Sequence, residues 1–564
     1  MDSETSFSAQ QAAEQPDSDD HQIDQFKVKL NGQQDLESRL HEFKAACDAH
    51  EKHTLKRRRR SYYHMGLVAK LVTDTTHDEL RRMLENGTYT FHVDTVANKP
   101  NELTSILETM NIAISATFVE RELKLATGLA LEINGECCRV GRLRNNCTVM
   151  LARGSVVTLT TNEAYRYAGF KEIAYVINLK AYLSSLKLGD ILYIGREVRC
   201  RVLKTLSEAI AVMIIDAGLM ASYDFIELPR QCYSLKPELY QELFMSDLKL
   251  VESLKADYVV LPKIRCKSFL RAVRHALNEE FDMKLIGMID FEYVRNNMLD
   301  LLGIIKLVDY IWIPDMFSIN CCVYNYIMED VLPISKCQKK PVIGTVPLER
   351  CSDFKYYELH EFLWKIDAIH IQKSTWCNKY PLIVKKLMPV RDYRAGVVQS
   401  ERMVKNILTS YQTIVNFIIR TISSIECQAI FIYTRCENAS VALARTEIYC
   451  PVYMMMPLND NEEDDNEETI KCKFNLARAL HLRRNMHPVL YTKDINEQNL
   501  NPIDFGVDYM RRKGCLEVGD FVVTLEVGKE DDENVNLGVG EDVWILRAFY
   551  VAPQLPYEKF QHGT

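Results

Sequence analysis

The stretch KLIGMIDFEYVRNNMLDLLGIIKLVDYIWIPDMFSI, residues 284–319, decides the fold. The apolar runs at residues 285–289 and 310–313 are short enough to be buried strands, and residues 293–303 between them are predicted to form a helix. A parallel return needs a crossover of this kind, and apolar runs without alternation indicate strands covered on both faces. The stretch is therefore predicted to be a strand-helix-strand unit of a parallel α/β fold.

Two carboxylates follow the strands of this unit. Asp290 comes directly after the first strand, and Asp315 comes shortly after the second. In parallel α/β folds, ligands bind at the carboxyl ends of the strands. Any binding site of this chain is therefore predicted to lie near Asp290 and Asp315.

The same alternation extends over most of the chain. Residues 64–122 and 226–393 contain apolar strands separated by helices, about eight strands in all, which predicts a (β/α)8 TIM barrel. Residues 123–225 contain short β-like runs separated by Gly-Glu, Asn-Asn and Gly-Asp turns, which predict an inserted small β-barrel domain. Residues 394–564 combine a long helix with several strands and are predicted to be a C-terminal α/β domain.

The first barrel segment contains two neighbouring predicted elements before the insertion. Residues 101–109 are predicted to be a helix, and the apolar residues 112–119 are predicted to be the next barrel strand. This interpretation continues the strand-helix alternation and places the start of the inserted domain at residue 123.

Residues 1–63 are predicted to form an amino-terminal arm that is disordered at first and helical over residues 36–55. The arm contains KRRRR at residues 56–60, a run typical of nuclear targeting segments and of surfaces that bind anions. A formal net charge of −8 for the whole chain disfavours nucleic acid as a partner. An exposed basic arm or a subunit contact is the preferred interpretation.

The sequence also disfavours several classes of protein and site. It has no run of the roughly 18 apolar residues that span a membrane and no apolar signal segment at its start, so a cytoplasmic protein without a membrane partner is expected. Its 17 cysteines lack zinc or disulfide spacing and are expected to be reduced. The acidic run at residues 459–468 is expected to be a solvated loop and not a metal site. Residues 226–393 contain only Gly287, Gly303 and Gly344, too few for phosphate-cradling loops.

The order of the predicted domains and several short motifs resemble the pyruvate kinase family over residues 64–556. The resemblance implies the family's fold, a TIM barrel with an inserted small β-barrel domain and a C-terminal α/β domain. It also implies glycolytic phosphoryl transfer between phosphoenolpyruvate and ADP, with Mg²⁺ and K⁺ as cofactors. The residues that carry the resemblance most firmly are structural: Asn86-Gly87, Glu227-Leu228-Pro229, Ile264-Arg265, Lys340-Pro341-Val342-Ile343 and Gly519-Asp520.

The motifs that hold the phosphoryl group and the metal ion in this family are altered. The motif SKIEN resembles GMIDF at residues 287–291, so its phosphoryl-contacting lysine becomes Met288 and its metal-binding glutamate becomes Asp290. The motif ARGDLG resembles PDMFSI at residues 314–319, so its metal-binding aspartate becomes Phe317. Met288 and Phe317 are expected to lie side by side and fill part of the former metal site.

The motif for substrate and potassium is also altered. ARLNFSHG resembles FHVDTVAN at residues 91–98. The resemblance then replaces the substrate-binding arginine by His92 and the potassium-contacting asparagine and serine by Asp94 and Val96.

Two further motifs of the family are matched by segments that lack the motifs' functional residues. DTKGPEIRTG resembles VERELKLATG at residues 119–128, which places its potassium aspartate at Val119 and its nucleotide-side arginine at Ala126. ATQMLE resembles residues 345–350, which places its catalytic threonine at Val346. The neighbouring Thr345 is expected to face the other side of the strand.

Two functions remain open from the sequence. The lost cations and ligands imply little or no pyruvate kinase activity, because one missing transition-state donor alone costs on the order of 10²- to 10³-fold in rate. The chain would then be a pseudoenzyme, a scaffold or a subunit of a homo- or hetero-oligomer with pyruvate-kinase-like chains. The alternative is an active pyruvate kinase that binds ADP or ATP, phosphoenolpyruvate, Mg²⁺ and K⁺ and uses five substitute groups, His92, Asp94, Lys263, Arg265 and Asp290.

Overall fold

The structure is a computed structural model. It describes residues 65–85, 87–119, 123–195, 197–233, 235, 237–295, 298–314, 321–345, 362–363, 365–372, 415, 418–422, 427–434, 443, 448, 450–458, 467–492, 501–513, 515–528 and 543–551. The predicted arm at residues 1–63, with its basic run, lies outside the described residues, as does most of the acidic run at residues 459–468.

The strands of the described residues alternate with helices through most of the chain. In chain order, they are β1 Gly66–Lys70, β2 Thr90–Asp94, β3 Leu123–Lys124, β4 Gly128–Glu132, β5 Cys138–Val140, β6 Val149–Leu151, β7 Val156–Thr160, β8 Ile173–Ile177, β9 Ile191–Ile194, β10 Val198–Thr205, β11 Ala209–Asp216, β12 Gly218–Met220, β13 Phe225–Glu227, β14 Tyr258–Ile264, β15 Lys284–Ile289, β16 Tyr310–Ile313, β17 Val342–Thr345, β18 Ala368–Ile371, β19 Ala429–Thr434, β20 Val452–Leu458, β21 Met486–Thr492, β22 Phe521–Gly528 and β23 Val543–Tyr550.

The described residues also form α-helices and short helical turns. The α-helices are α1 His77–Glu85, α2 Pro100–Val119, α3 Leu179–Tyr182, α4 Pro237–Ser253, α5 Lys267–Glu280, α6 Phe291–Val294, α7 Met298–Leu307, α8 Cys321–Tyr326, α9 Leu332–Cys337, α10 Glu467–His481 and α11 Pro502–Arg512. A π-helical turn, Ile327–Val331, joins α8 to α9, and 3-10 turns occur at Arg144–Asn146, Glu163–Tyr165 and Arg230–Tyr233. Among the described helices, none is long and apolar enough to cross a membrane.

Eight parallel strands close the large barrel in the order β1-β18-β17-β16-β15-β14-β4-β2. The strand-helix-strand unit at residues 284–319 lies within this barrel, where β15 pairs in parallel with β16 and Ile286 lies opposite Tyr310. The crossover between these strands contains α6 and α7 in place of the single helix predicted over residues 293–303. The eight-stranded parallel barrel predicted from the apolar runs is therefore present.

The interior of the large barrel is a continuous apolar core that includes one residue from outside the barrel. Leu482, which directly follows α10, packs with the inward-facing residues at the amino ends of the strands, and its Cα lies 3.1 Å from where a Cβ on Gly66 would stand. That Cβ would also clash with the carbonyl oxygen of His481, so only glycine fits at the start of β1. The core consists of Val68, Ala130, Tyr258, Val260, Ile286, Met288, Tyr310, Trp312, Ile343, Ala368 and Leu482.

One predicted strand is a helix in the structure. Residues 112–119 continue the helix that starts at Pro100, and the third barrel strand in chain order is β4, Gly128–Glu132. The buried residues of α2 recur every three or four positions, which is the period of a helix and not of a strand; they are Leu103, Ile106, Met110, Ala113 and Thr117. The start of the insertion predicted at residue 123 is therefore too early, because β4 belongs to the large barrel.

The chain between β4 and β14 forms a second closed barrel. Its seven strands run in the order β10-β11-β7-β8-β5-β13-β9, and all its ladders are antiparallel except the one between β7 and β8. Four of the short β-like runs predicted within residues 123–225 correspond to β6, β7, β9 and β10. β6 pairs with β12 in a separate two-stranded sheet.

The last part of the described chain forms a six-stranded sheet in the order β23-β22-β19-β20-β21-β3. Its edge strand β3 comes from residues that precede β4 in the chain and pairs antiparallel with β21. Five strands of this sheet, β19 to β23, lie within residues 394–564, where the sequence predicted several strands. Together with the large barrel, this sheet makes the chain a mixed α/β protein.

Candidate functional site

The carboxyl ends of the large-barrel strands carry a group of buried polar side chains, and we call this end of the barrel the barrel mouth. Alternation along the strands aims His92 and Asp94 of β2, Glu132 of β4, Thr345 of β17 and His370 of β18 inward. All five are buried. Buried polar groups need partners, so their pairing determines what the barrel mouth can bind.

The first group, which we call the Arg139 cluster, consists of His92, Asp94, Glu132 and Arg139. Nη1 of Arg139 lies 3.2 Å from Oδ2 of Asp94, and its Nη2 donates to Oε1 of Glu132. Nε2 of His92 lies 3.2 Å from Oε2 of Glu132. Oδ1 of Asp94 accepts from two backbone N–H groups of the loop that follows β2, at 2.9 and 3.2 Å. Each carboxylate of this cluster is therefore bonded through both of its oxygens.

The electrostatics of the Arg139 cluster favour the charged forms of Glu132 and Arg139. Burial alone would raise the pKa of Glu132, but the charge of Arg139 and the hydrogen bond from His92 hold this pKa well below its usual range. Burial would lower the pKa of Arg139, but the charges of Asp94 and Glu132 raise it above its ordinary value. The cluster therefore contains a permanent cation between two carboxylates.

The second group, which we call the Arg265 cluster, follows the ends of β14 and β15. Nε of Arg265 donates to Oδ2 of Asp290 at 2.7 Å, and its Nη2 donates to Glu227 of β13. Lys263 donates to the other oxygen of Glu227. Oδ1 of Asp290 accepts from the backbone N–H of Tyr293 at 3.3 Å and caps α6. Both oxygens of Asp290 thus have donors from the protein.

Glu136 lies beside the Arg265 cluster and is a buried carboxyl of a different kind. Its Oε1 accepts from the backbone N–H groups of Arg265 and Cys266 at 2.9 and 3.2 Å. Its Oε2 has no hydrogen-bond partner among the described residues. Burial raises the pKa of Glu136 to about 7, against the opposing effect of the bonds from Arg265.

The far side of the barrel mouth is aromatic. Nε1 of Trp312 donates to Oγ1 of Thr345 at 2.8 Å, and Nδ1 of His370 lies 3.1 Å from the same oxygen. The rings of His92 and His370 contact Trp312 edge to face, with centroids 4.9 and 4.4 Å away. Burial lowers the pKa of His370 well below its usual range, so this ring is neutral. Thr345 faces the barrel interior. Val346 lies outside the described residues, so the expectation that the two residues face opposite sides of the strand stays a prediction.

The structure divides the described residues that the sequence singled out between the two clusters and the barrel core. His92 and Asp94 lie in the Arg139 cluster, and Asp290 lies in the Arg265 cluster. Met288 is 9% exposed and packs in the barrel core with Trp312. Phe317, Val346 and Asp315 lie outside the described residues, so the contact between Met288 and Phe317 stays a prediction.

Sequence reasoning missed Glu132 and Arg139. The motif DTKGPEIRTG was matched to residues 119–128, but Val119 ends a helix, whereas a ligand-binding carboxylate of this fold follows a strand. EINGECCRVG at residues 132–141 starts at the end of β4 and keeps the motif's carboxylate, first glycine, arginine and last glycine at their spacing. The placement on Val119 and Ala126 was therefore wrong, and the spacing E-x-x-G-x-x-x-R-x-G was the signal that could have found the site.

Among the described residues of the barrel mouth, Asp290 is not free to bind a magnesium ion. Mg²⁺ binds through carboxylate oxygens in a near-octahedral arrangement, but both oxygens of Asp290 already accept hydrogen bonds. The sequence has Phe317 at the position that the resemblance assigns to the second metal ligand. Among the residues that the structure describes, no group of three or more His, Cys, Asp or Glu side chains is arranged to hold a metal ion.

Comparison with known proteins gives one family match. Residues 412–537 match the family model described as pyruvate kinase, alpha/beta domain. This range contains β19, β20, β21 and β22 of the six-stranded sheet. No curated protein sequence matches the chain.

Proposed function

We propose that this chain, a member of the pyruvate kinase family by its alpha/beta domain, is a pseudoenzyme with little or no catalytic activity. Its role would be that of a cytoplasmic scaffold or of a subunit in a homo- or hetero-oligomer with pyruvate-kinase-like chains. The proposal includes the family's full architecture, in which the large barrel is a TIM barrel, the seven-stranded barrel is an inserted domain and the six-stranded sheet is the core of the C-terminal domain.

One observation carries this proposal: the barrel mouth neutralises its carboxylates with its own arginines. Arg139 bridges Asp94 and Glu132, and Arg265 bridges Asp290 and Glu227. A metal ion would have to displace a buried guanidinium, and breaking a buried ion pair costs on the order of 3–5 kcal/mol. The divalent cation that phosphoryl transfer requires therefore has no free carboxylate among these four.

The same argument weakens the alternative of an active kinase. Phosphoryl transfer needs cations that face the phosphoryl oxygens. Met288 has no charge at the lysine position, and Lys263 and Arg265 are both bonded to Glu227. His92 is held by Glu132. The substitute groups of the alternative are thus already paired with one another or with neighbouring side chains.

The activity of the purified chain tests this proposal. With ADP, phosphoenolpyruvate, Mg²⁺ and K⁺ in a coupled assay, we expect no turnover above background, while an active pyruvate kinase serves as the positive control. Turnover within about tenfold of the roughly 10 s⁻¹ typical of enzymes would refute the proposal. Magnesium-dependent thermal stabilisation by phosphoenolpyruvate would likewise count against it, because only an intact site binds both the metal ion and the substrate.

Size-exclusion chromatography with light scattering tests the oligomer. A monomer that stays separate from co-expressed pyruvate kinase subunits would refute the oligomer part of the proposal.

A further inference from the structure

We propose that Cys427 and Cys450, two buried thiols of the six-stranded sheet domain, are an oxidation site that forms a reversible disulfide when the protein is exposed to hydrogen peroxide. The inference concerns a modification of the sheet domain and makes no use of the barrel mouth. It goes beyond the proposed function, because an active wild-type protein would refute the pseudoenzyme proposal and leave this one intact.

The two cysteines stand just before the starts of neighbouring strands. Cys427 lies two residues before β19, and Cys450 lies two residues before β20. The strands pair in parallel, with Ile430 opposite Val452, so the two cysteines are offset by a single residue. Paired strands lie about 4.8 Å apart and rise about 3.3 Å per residue, which puts the two Cα atoms about 6 Å apart. Disulfides span roughly 4.4–6.8 Å between Cα atoms.

The two side chains meet in one apolar core. Both belong to the same group of buried residues of the sheet domain, in which Cys427 is 6% exposed and Cys450 is 1% exposed. The thiols are free and are hydrogen-bonded to each other, which brings their sulfur atoms into contact. The thiol of Cys427 in turn donates to the carbonyl oxygen of Ala429 at 3.2 Å. The strand positions and the contact between the thiols thus both favour a covalent bond between this pair.

The hydrogen bond between the thiols gives them different reactivity. The bond from Cys450 lowers the pKa of Cys427, against the opposing effect of burial. The same bond, together with burial, raises the pKa of Cys450 well above its ordinary value. The thiolate is the nucleophilic form of cysteine, and Cys427 is also the more exposed of the two. Cys427 is therefore the thiol that attacks the oxidant, and Cys450 is the resolving thiol beside it.

Hydrogen peroxide is a suitable oxidant because it is little larger than water and can reach a thiol that is 6% exposed. The thiolate of Cys427 attacks one peroxide oxygen, so that the O–O bond breaks and an S–O bond forms; the hydroxide that leaves takes up the thiol's proton and becomes water. The sulfur of Cys450 then attacks the sulfenic sulfur of Cys427, and its proton leaves with the oxygen as a second water. Two thiols and one peroxide thus give one disulfide and two waters. A dithiol reductant reverses the bond by thiol–disulfide exchange.

The test uses the full-length wild type. The protein is treated with hydrogen peroxide at concentrations that leave its circular dichroism unchanged, its remaining thiols are alkylated in denaturant, and the unreduced digest is analysed by mass spectrometry. We expect a peptide cross-linked between Cys427 and Cys450 that disappears after treatment with dithiothreitol. Oxidation of the exposed thiols Cys147, Cys337 and Cys472 shows that the peroxide has acted. If these thiols are oxidised without the cross-link, or if the cross-link forms only in unfolded protein, the proposal is overturned.

Three variants test the order of attack. In Cys450→Ser, the hydroxyl can still donate to Cys427 but cannot resolve it, so dimedone should trap the sulfenic acid of Cys427. Cys427→Ser should leave Cys450 unmodified, and a dimedone adduct there would contradict the assigned order. Cys200→Ser is the matched control, because Cys200 is another buried thiol, its pKa is raised by burial to about 12, and it donates to the carbonyl oxygen of Leu192 at 3.6 Å. This control should form the cross-link as the wild type does, and the wild-type cross-link alone decides the proposal if a variant does not fold.

Discussion

At the scale of single residues, Glu136 makes the stability of the protein depend on pH. Its pKa is raised from 4.5 to about 7 by burial. A carboxyl whose pKa is higher in the folded state stabilises the protein below the unfolded pKa, and this stabilisation is lost as pH rises through the folded pKa. Between pH 4.5 and about 7, the wild type should therefore lose stability from this group.

Glu136→Gln should remove this dependence. The amide oxygen can still accept from the N–H groups of Arg265 and Cys266, but it has no proton to lose. We expect the free energy of unfolding of the wild type to fall relative to that of the variant by up to about 3 kcal/mol from pH 4.5 to pH 8. Urea denaturation at a series of pH values measures this difference. Parallel curves for the two proteins would contradict the prediction.

At the scale of elements, α2 was the wrong assignment closest to the site. Apolar residues at positions 112–119 predicted a strand, and a family motif was separately matched to residues 119–128 at the end of that segment. The helical period of Leu103, Ile106, Met110, Ala113 and Thr117 was present in the sequence, but Ile, Val and Thr also favour strands. Such a conflict is settled by which face is buried, and that depends on the tertiary structure.

Truncating two isoleucines of α2 tests this assignment. Ile112 is 61% exposed and Ile106 is 5% exposed. In a helix, Ile112→Ala removes little buried area and gains helix propensity, so stability should change by less than about 0.5 kcal/mol or increase slightly. Ile106→Ala should cost about 2–5 kcal/mol. Chemical denaturation of both variants measures these values, and a loss of similar size at Ile112 would argue for the strand.

At the scale of the whole molecule, seven of the eight barrel strands could be predicted because each apolar run is local in the sequence, whereas β4 was missed. The pairings that build the barrel mouth could not be predicted in this way. Arg265 and Glu227 are 38 residues apart, and Arg139 and Asp94 are 45 apart. No periodicity connects residues at such distances. The position of Leu482 in the core of the large barrel is unpredictable for the same reason, because it comes from the chain that follows α10.

Leu482 couples the barrel to the six-stranded sheet domain, and this coupling can be measured. Leu482→Ala should cost about 2–5 kcal/mol, because it leaves a cavity at the amino ends of the barrel strands. Leu480, two residues earlier, packs in the core of the sheet domain and is the matched control. Hydrogen exchange should become faster in β1 and β18 of Leu482→Ala, whereas Leu480→Ala should loosen β20 and β21 instead. Because each side chain belongs to a different core, the same exchange pattern in both variants would mean that Leu482 does not hold the barrel closed.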